Sequence, residues 1–157
     1  MENNQPAYFL KPAAMDRIFG QVFAALVRLG VGFKHSFVLE VRGRKSGRVF
    51  STPVNLLIHN RKTYLCASRG ETQWARNARA AGRVTLVKGS KHEEYRVREL
   101  PIADRPELLK EFLDRFAASV QRYYPVKKGA PVSAFAECAK TMPVFELIRN
   151  GSEYSSD

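Results

Sequence analysis

The stretch from residue 38 to 77, VLEVRGRKSGRVFSTPVNLLIHNRKTYLCASRGETQWARN, most narrows what this chain can fold into. Three strand-like runs follow one another across two short polar breaks. In the first, Phe37, Leu39 and Val41 alternate with Ser36, Glu40 and Arg42, which predicts a strand with one face toward water. Gly43-Arg44-Lys45-Ser46-Gly47-Arg48 is a tight basic turn. Val49 to Ile58 is the second run, and Pro53 within it requires an edge strand or a bulge, because proline has no N–H for the ladder. His59-Asn60-Arg61-Lys62 is a hairpin turn, and Thr63 to Ala67 is the third run. Neighbours joined this tightly pair antiparallel, as in a meander or a barrel.

The rest of the chain fits around these strands. Met15, Ile18, Phe19, Val22, Phe23, Leu26 and Val27 follow helical spacing and predict a helix from Ala13 to Leu29, ended by Gly30 and Gly32. Thr72 caps a predicted helix over Gln73 to Ala81, and Gly82 closes it. Val84 to Lys88 and Glu93 to Leu100 form a hairpin across Gly89-Ser90. Asp104 or Pro106 opens an amphipathic helix with Leu109, Phe112, Leu113, Phe116 and Val120 as its buried stripe. A loop from Tyr123 to Pro131, a short helix from Ser133 to Lys140 and a strand from Val144 to Ile148 complete the chain. The sum is an α+β fold of about six mostly antiparallel strands and four helices. It is read as one domain, with an N-terminal helix segment 1–34, a core 35–150 and a tail 151–157.

Charge is unevenly placed. Residues 1–41 hold four cations and three anions, residues 99–157 hold eight and nine, and residues 42–98 hold fourteen and three. The net charge of +11 therefore sits in the segment with the basic turn and the short helix, which favours an anionic partner. Nucleic acid is not that partner: aromatics do not interleave with the cations, and no helix-turn-helix is present. Cys66 and Cys138 have no metal or disulfide spacing and read as reduced thiols of a cytoplasmic protein. The helix at 13–29 holds Asp16, Arg17, Gln21 and Arg28, too polar to span a bilayer. Its apolar face is expected to pack on the sheet, with peripheral membrane contact as the alternative. No paired carboxylates, Ser-His-Asp set or metal-ligand pattern stands out, and His35, His59 and His92 look like turn or strand-edge residues.

The basic turn has the composition of an anion cradle. Two glycines let backbone amides turn inward, and Arg42, Arg44, Lys45 and Arg48 place four cations within seven residues. Downstream, Ala67-Ser68-Arg69-Gly70 leads into the helix that carries Trp74, the only tryptophan, and Asn77, a poor mid-helix residue unless it has a partner. The order strand, GRKSG turn, strand, ASRG, tryptophan helix resembles the deazaflavin (F420)-dependent nitroreductase and F420H2-dependent quinone reductase family. The likeness covers roughly residues 35–149.

The resemblance implies a split β-barrel, of the kind that binds FMN, and the cofactor F420. It makes Lys45 and Arg48 phosphate ligands, has Ser46 and Gly47 supply amides, and lets Arg44 add charge. Thr52, Pro53 and Val54 would run beside the cofactor ring, Ser68, Arg69 and Gly70 would border ring and phosphate, and Trp74 and Asn77 would wall the pocket. The reaction implied is hydride transfer from ring C5 to an electron-poor small molecule: a quinone, an enone or a nitro compound. Tyr124 is the candidate proton donor, with solvent as the alternative.

Two positions depart from the family pattern. Phe50 stands where some members carry a further basic residue. Tyr123-Tyr124-Pro125 is followed by Val126-Lys127-Lys128-Gly129-Ala130-Pro131, where nitro-drug-reducing members place more tyrosines. The substrate side is therefore expected to differ. The same turn suits FMN, and a non-catalytic carrier of deazaflavin or fatty acid is a further alternative. The edge strands permit a monomer or a homodimer.

Overall fold

The computed structural model describes residues 34–151. The predicted helix at 13–29 and the tail beyond Gly151 lie outside the described residues. Seven strands form one antiparallel sheet: β1 (Ser36–Arg42), β2 (Val49–Asn55), β3 (Leu57–His59), β4 (Lys62–Cys66), β5 (Arg83–Lys88), β6 (Lys91–Glu99) and β7 (Val144–Arg149). Helix α1 (Gln73–Ala81) joins β4 to β5. Helices α2 (Pro106–Val120) and α3 (Ala136–Ala139) lie between β6 and β7, with short 3-10 turns at 102–104, 121–123 and 132–135.

The sheet order is β2-β1-β5-β6-β7-β4-β3. Its two end strands, β2 and β3, are consecutive in the chain and separated by Leu56 alone. A flat sheet holds its end strands far apart, since each strand adds about 4.8 Å of width. The single-residue link therefore requires the sheet to curl, and the result is a half-barrel. This is the α+β split-barrel architecture expected, with one strand more than the six predicted. The predicted run Val49–Ile58 divides in two because its halves pair with different partners. Residues 49–55 pair with β1, residues 57–59 pair with β4, and Leu56 turns its N–H to the carbonyl of His35 at 2.9 Å. Pro53 lies on the terminal strand opposite Val38, where a missing N–H is tolerated.

Two apolar clusters occupy the two faces of the same strands. Tyr64, Cys66 and Val144 pack with Leu109, Phe112 and Leu113 of α2 and with Phe135 and Ala139. Leu65, Ala67, Phe145 and Leu147 face the other way, with Leu39, Val41, Leu86, Ala75 and Ala78. Strands covered on both sides lose the polar alternation of a half-exposed strand. The expected wet face of β1 is accordingly seen only toward its end: Ser36 and Val38 are buried as well as Leu39 and Val41, while Glu40 is half-buried and Arg42 exposed.

The turn between β3 and β4 has Asn60 at φ 49° and Arg61 at φ 64°, both left-handed. That is the geometry matching the twist of a two-residue hairpin loop. His59 reaches across to Glu111 on α2, and its Nε2 lies 3.6 Å from Glu107. This histidine clasps hairpin to helix.

Candidate functional site

The basic turn is closed by two backbone bonds: Gly43 N–H to the Arg48 carbonyl at 2.7 Å and Gly47 N–H to the Gly43 carbonyl at 2.9 Å. Gly47 sits at φ 70°, the left-handed region that favours glycine. Arg42 donates from Nη1 to the Gly47 carbonyl at 2.8 Å, and Ser46 Oγ accepts from Arg48 N–H at 3.2 Å. The Gly47 amide is therefore used inside the turn, as is the Ser46 hydroxyl. Lys45 and Arg48 are exposed, and their side chains make no hydrogen bond or ion pair among the described residues. No carboxylate occurs between Val41 and Gly70.

Helix α1 docks this turn. Thr72 Oγ1 accepts from Ala75 N–H at 3.2 Å as N-cap, and Gly82 at φ 73° ends the helix. Asn77 is buried, and its Oδ1 accepts twice from Arg44, from the backbone N–H at 3.2 Å and from Nη1 at 2.8 Å. Gln73, one turn earlier on the same face, takes Arg44 Nη1 at 3.0 Å through Oε1. Arg44 is thus committed to the helix, and Asn77 acts as the partner of the turn. Sequence reasoning marked Asn77 as anomalous but missed Gln73, whose i, i+4 spacing to Asn77 was the available signal.

A second network fixes α1 from its other side. Arg79 donates to Glu99 at 2.6 and 2.8 Å and to Glu71 at 2.8 and 3.0 Å. Buried Arg105 joins it through Glu99 Oε1 at 3.3 Å, and also donates to the carbonyls of Leu100 at 2.9 Å and Ala139 at 3.1 Å. Hydrogen bonds from Arg79 hold the Glu99 carboxyl below its ordinary range, aided by the charges of Arg79 and Arg105 and opposed by burial.

The segment between β4 and α1 meets the far end of the chain. Ser68 Oγ and the Tyr124 hydroxyl are 2.8 Å apart, both residues buried. Burial pushes the Tyr124 phenol far up, and the nearby Cys66 adds to this, so it stays neutral in ordinary buffers. The Arg69 guanidinium lies 5.7 Å from the ring centre of Tyr123, which also carries Arg122 at 4.9 Å. Gly70, at φ 90°, donates its N–H to the Ala67 carbonyl at 2.9 Å and accepts from Thr72 N–H at 2.8 Å. Trp74 is half-buried, its ring 5.9 Å from that of Phe145.

The structure therefore links the predicted residues in two pairs, Arg44 with Asn77 and Ser68 with Tyr124. The continuous segment from Ser68 to Asn77 connects the pairs. Thr52, Pro53 and Val54 lie apart on the edge strand, opposite Leu39, Val38 and Phe37.

A curled antiparallel half-barrel with flanking helices, and a basic turn docked on one of them, defines a split-barrel protein. The family model described as F420H(2)-dependent quinone reductase matches residues 17–134, and the chain belongs to that family. It is an F420H2-dependent reductase, with F420 as its cofactor. Among solved structures, HutZ, a heme storage protein from Vibrio cholerae, is similar at TM-score 0.53 and 9% identity, over 76% of this chain and 84% of that one. A structure described as a domain-swapped dimer is similar at TM-score 0.51 and 21% identity, over 85% and 92%. An F420-H2 dependent reductase, FDR-A, is similar at TM-score 0.49 and 21% identity, over 73% and 94%. No curated protein matches the chain in sequence. Among the described residues, no helix is long and apolar enough to cross a membrane.

Proposed function

We propose that this protein passes a hydride from F420H2 to a quinone-type acceptor, with enones as the next class and nitro compounds behind them. The observation that carries the reading is the docked basic turn. Its two outward cations, Lys45 and Arg48, have no competing partner among the described residues and no carboxylate nearby in sequence. That donor set fits a phosphate-bearing group, since charged N–H donors bind phosphate with short, strong hydrogen bonds. Lys45 and Arg48 would hold the phosphate, with Arg44 set in place by Asn77. Thr52, Pro53 and Val54 would border the ring from one side and Ser68, Arg69, Gly70 and Trp74 from the other.

Bound there, the reduced deazaflavin would supply the hydride that, with one proton, converts a quinone to the hydroquinone. The chain's part is to position, to exclude water and to manage the proton. Tyr124 is a weak acid where it lies, because a buried phenolate is costly. Its role is that of a neutral partner that orients the Ser68 hydroxyl, with the proton drawn from solvent. The solved neighbour described as a domain-swapped dimer supports a homodimer over a monomer, which light scattering tests. The two buried free thiols suit a reducing cytoplasm.

The test is a fluorescence titration of the protein with F420, with FMN in parallel, followed by turnover of a quinone, enone and nitro-compound panel. Tight binding of F420 over FMN is expected, with quinones fastest. Lys45→Ala with Arg48→Ala should raise the F420 Kd roughly a hundredfold, the effect of losing two charge-assisted contacts. An unchanged Kd in that variant removes the turn from the site, and absence of quinone reduction removes the acceptor assignment.

A further inference from the structure

The loop after α2 forms an open depression of about 530 Å³ lined by Gln121, Tyr124, Pro125, Val126, Lys127 and Lys128. Gln121 holds this loop with both ends of its amide. Its Nε2 donates to the Val126 carbonyl at 2.8 Å and its Oε1 accepts from Lys128 N–H at 2.9 Å. Gly129 N–H donates to Asp114 Oδ1 at 2.8 Å, and Ala130 N–H to the Lys127 carbonyl at 3.0 Å. The depression is therefore built in advance. Its lining has three chemical parts. Pro125 and Val126 are apolar. Lys127 and Lys128 are exposed, and their ammonium groups make no hydrogen bond or ion pair among the described residues. Asp114, the carboxylate that Lys128 influences, is already taken by Lys110 Nζ at 2.9 Å and by Gly129. Tyr124 supplies the third part, and its hydroxyl meets Ser68.

We propose that this depression is the acceptor subsite, and that the acceptor is a flat, electron-poor molecule carrying a carboxylate. Lys127 and Lys128 hold the carboxylate, and Pro125 and Val126 face the apolar ring. The carboxylate takes no part in the redox step; it sets which acceptors are used. The inference rests on the quinone reductase reading above and adds to it that the acceptor docks beside Tyr124. Two adjacent exposed cations, neither in a hydrogen bond or ion pair among the described residues, at the rim of a wall with apolar area, recognise an anion with an apolar body rather than a neutral quinone.

The same ammonium pair suits carboxylates on the cofactor itself, and the experiment separates the two sources. The probes are a neutral alkyl naphthoquinone and its analogue ending in a carboxylate at the same chain length, so that the ring potentials match. Turnover by the F420-loaded protein gives the ratio of kcat/KM for acid over neutral. Calorimetry with 1-naphthaleneacetic acid, in the presence of oxidised F420, gives acid binding without turnover. A ratio of about ten, falling toward one in Lys127→Gln/Lys128→Gln, is expected for loss of an exposed pair of ionic contacts. Naphthaleneacetic acid affinity should fall with it, and Lys127→Arg/Lys128→Arg should retain both. A ratio near one in the unaltered protein, or one that survives the double variant, overturns the proposal. A matching loss of F420 affinity in the double variant also overturns it, by assigning the lysines to the cofactor. Acid binding that depends on the lysines, without reduction of either quinone, keeps the acid subsite and overturns the quinone reductase reading instead.

Discussion

Asn77 Oδ1 accepts both the backbone N–H and the guanidinium of Arg44, at 3.2 and 2.8 Å, across 33 residues of sequence. One buried oxygen thereby fixes the path of the basic turn and removes one of its cations from solution.

Asn77→Ala should uncouple turn from helix. The oxygen lost serves two donors, one of them charged, so the fold should lose about 1–3 kcal/mol. F420 affinity should fall about tenfold, because Lys45 and Arg48 must then be ordered at the moment of binding. Asn77→Asp keeps an acceptor for Arg44 and should restore most of the affinity. Urea denaturation and a fluorescence titration measure the two effects, and an unaltered Kd in Asn77→Ala would show that the turn is held without the helix.

The two glycines of the turn should respond differently to alanine. At Gly47 a Cβ meets nothing within 4 Å, but the backbone stands at φ 70°. The cost of Gly47→Ala is conformational, about 1 kcal/mol or somewhat more. At Gly43 the backbone is ordinary, but a Cβ falls 2.6 Å from the Phe50 ring. Phe50 is half exposed and can rotate away, so Gly43→Ala should be relieved by Phe50→Ala in the same chain. Melting temperatures of the three single variants and of the Gly43→Ala/Phe50→Ala and Gly47→Ala/Phe50→Ala double variants check this. Rescue of Gly47→Ala by Phe50→Ala would contradict it.

Which parts were legible follows a physical line. Turn chemistry and capping are local, so Gly43 to Arg48, the His59–Lys62 hairpin and the Thr72-to-Gly82 helix could be read directly. The division at Leu56 could not, since no glycine, proline or turn pair marks the VNLLI segment and only the change of strand partner ends β2. Nor could the buried face of β1: alternation located Leu39 and Val41, but Val38 is covered through its neighbour Val87 as part of a second face. Long-range pairs were invisible as pairs. Asn77 was suspect in mid-helix, yet nothing in the sequence pointed to Arg44. Ser68 and Tyr124 each came from a resemblance, and their 2.8 Å contact came from the sheet that brings residues 56 apart together.

The Arg79–Glu99 ion pair should set the acid limit of α1. Glu99 titrates lower in the folded protein than in the unfolded chain, so its ionised form stabilises the fold above the ordinary glutamate range. That contribution is lost as pH falls through the depressed folded value. Thermal melts between about pH 6 and pH 3 should show stability declining toward acid, with a shallower decline in Glu99→Gln. Because Glu99 also holds Arg105, Glu99→Gln should be the less stable protein at neutral pH. Equal acid slopes would assign the decline to Asp114 and Glu146, which are also held low.

Tyr124→Phe distinguishes an orienting phenol from a proton donor. The substitution removes one hydroxyl from a buried site and leaves Ser68 without its partner, a stability cost of about 1 kcal/mol. Burial holds the phenol neutral well above its usual range, so no ionisation of Tyr124 falls within the pH span of an assay. An orienting role predicts kcat lower by about tenfold at every pH, with the shape of the profile retained. A proton-donor role predicts loss of an alkaline limb in the variant that the unaltered protein displays. Ser68→Ala provides the complement: it removes the other half of the 2.8 Å contact, and combined with Tyr124→Phe it should cost little more than either change alone. Fully additive losses in kcat would show that the two hydroxyls act separately.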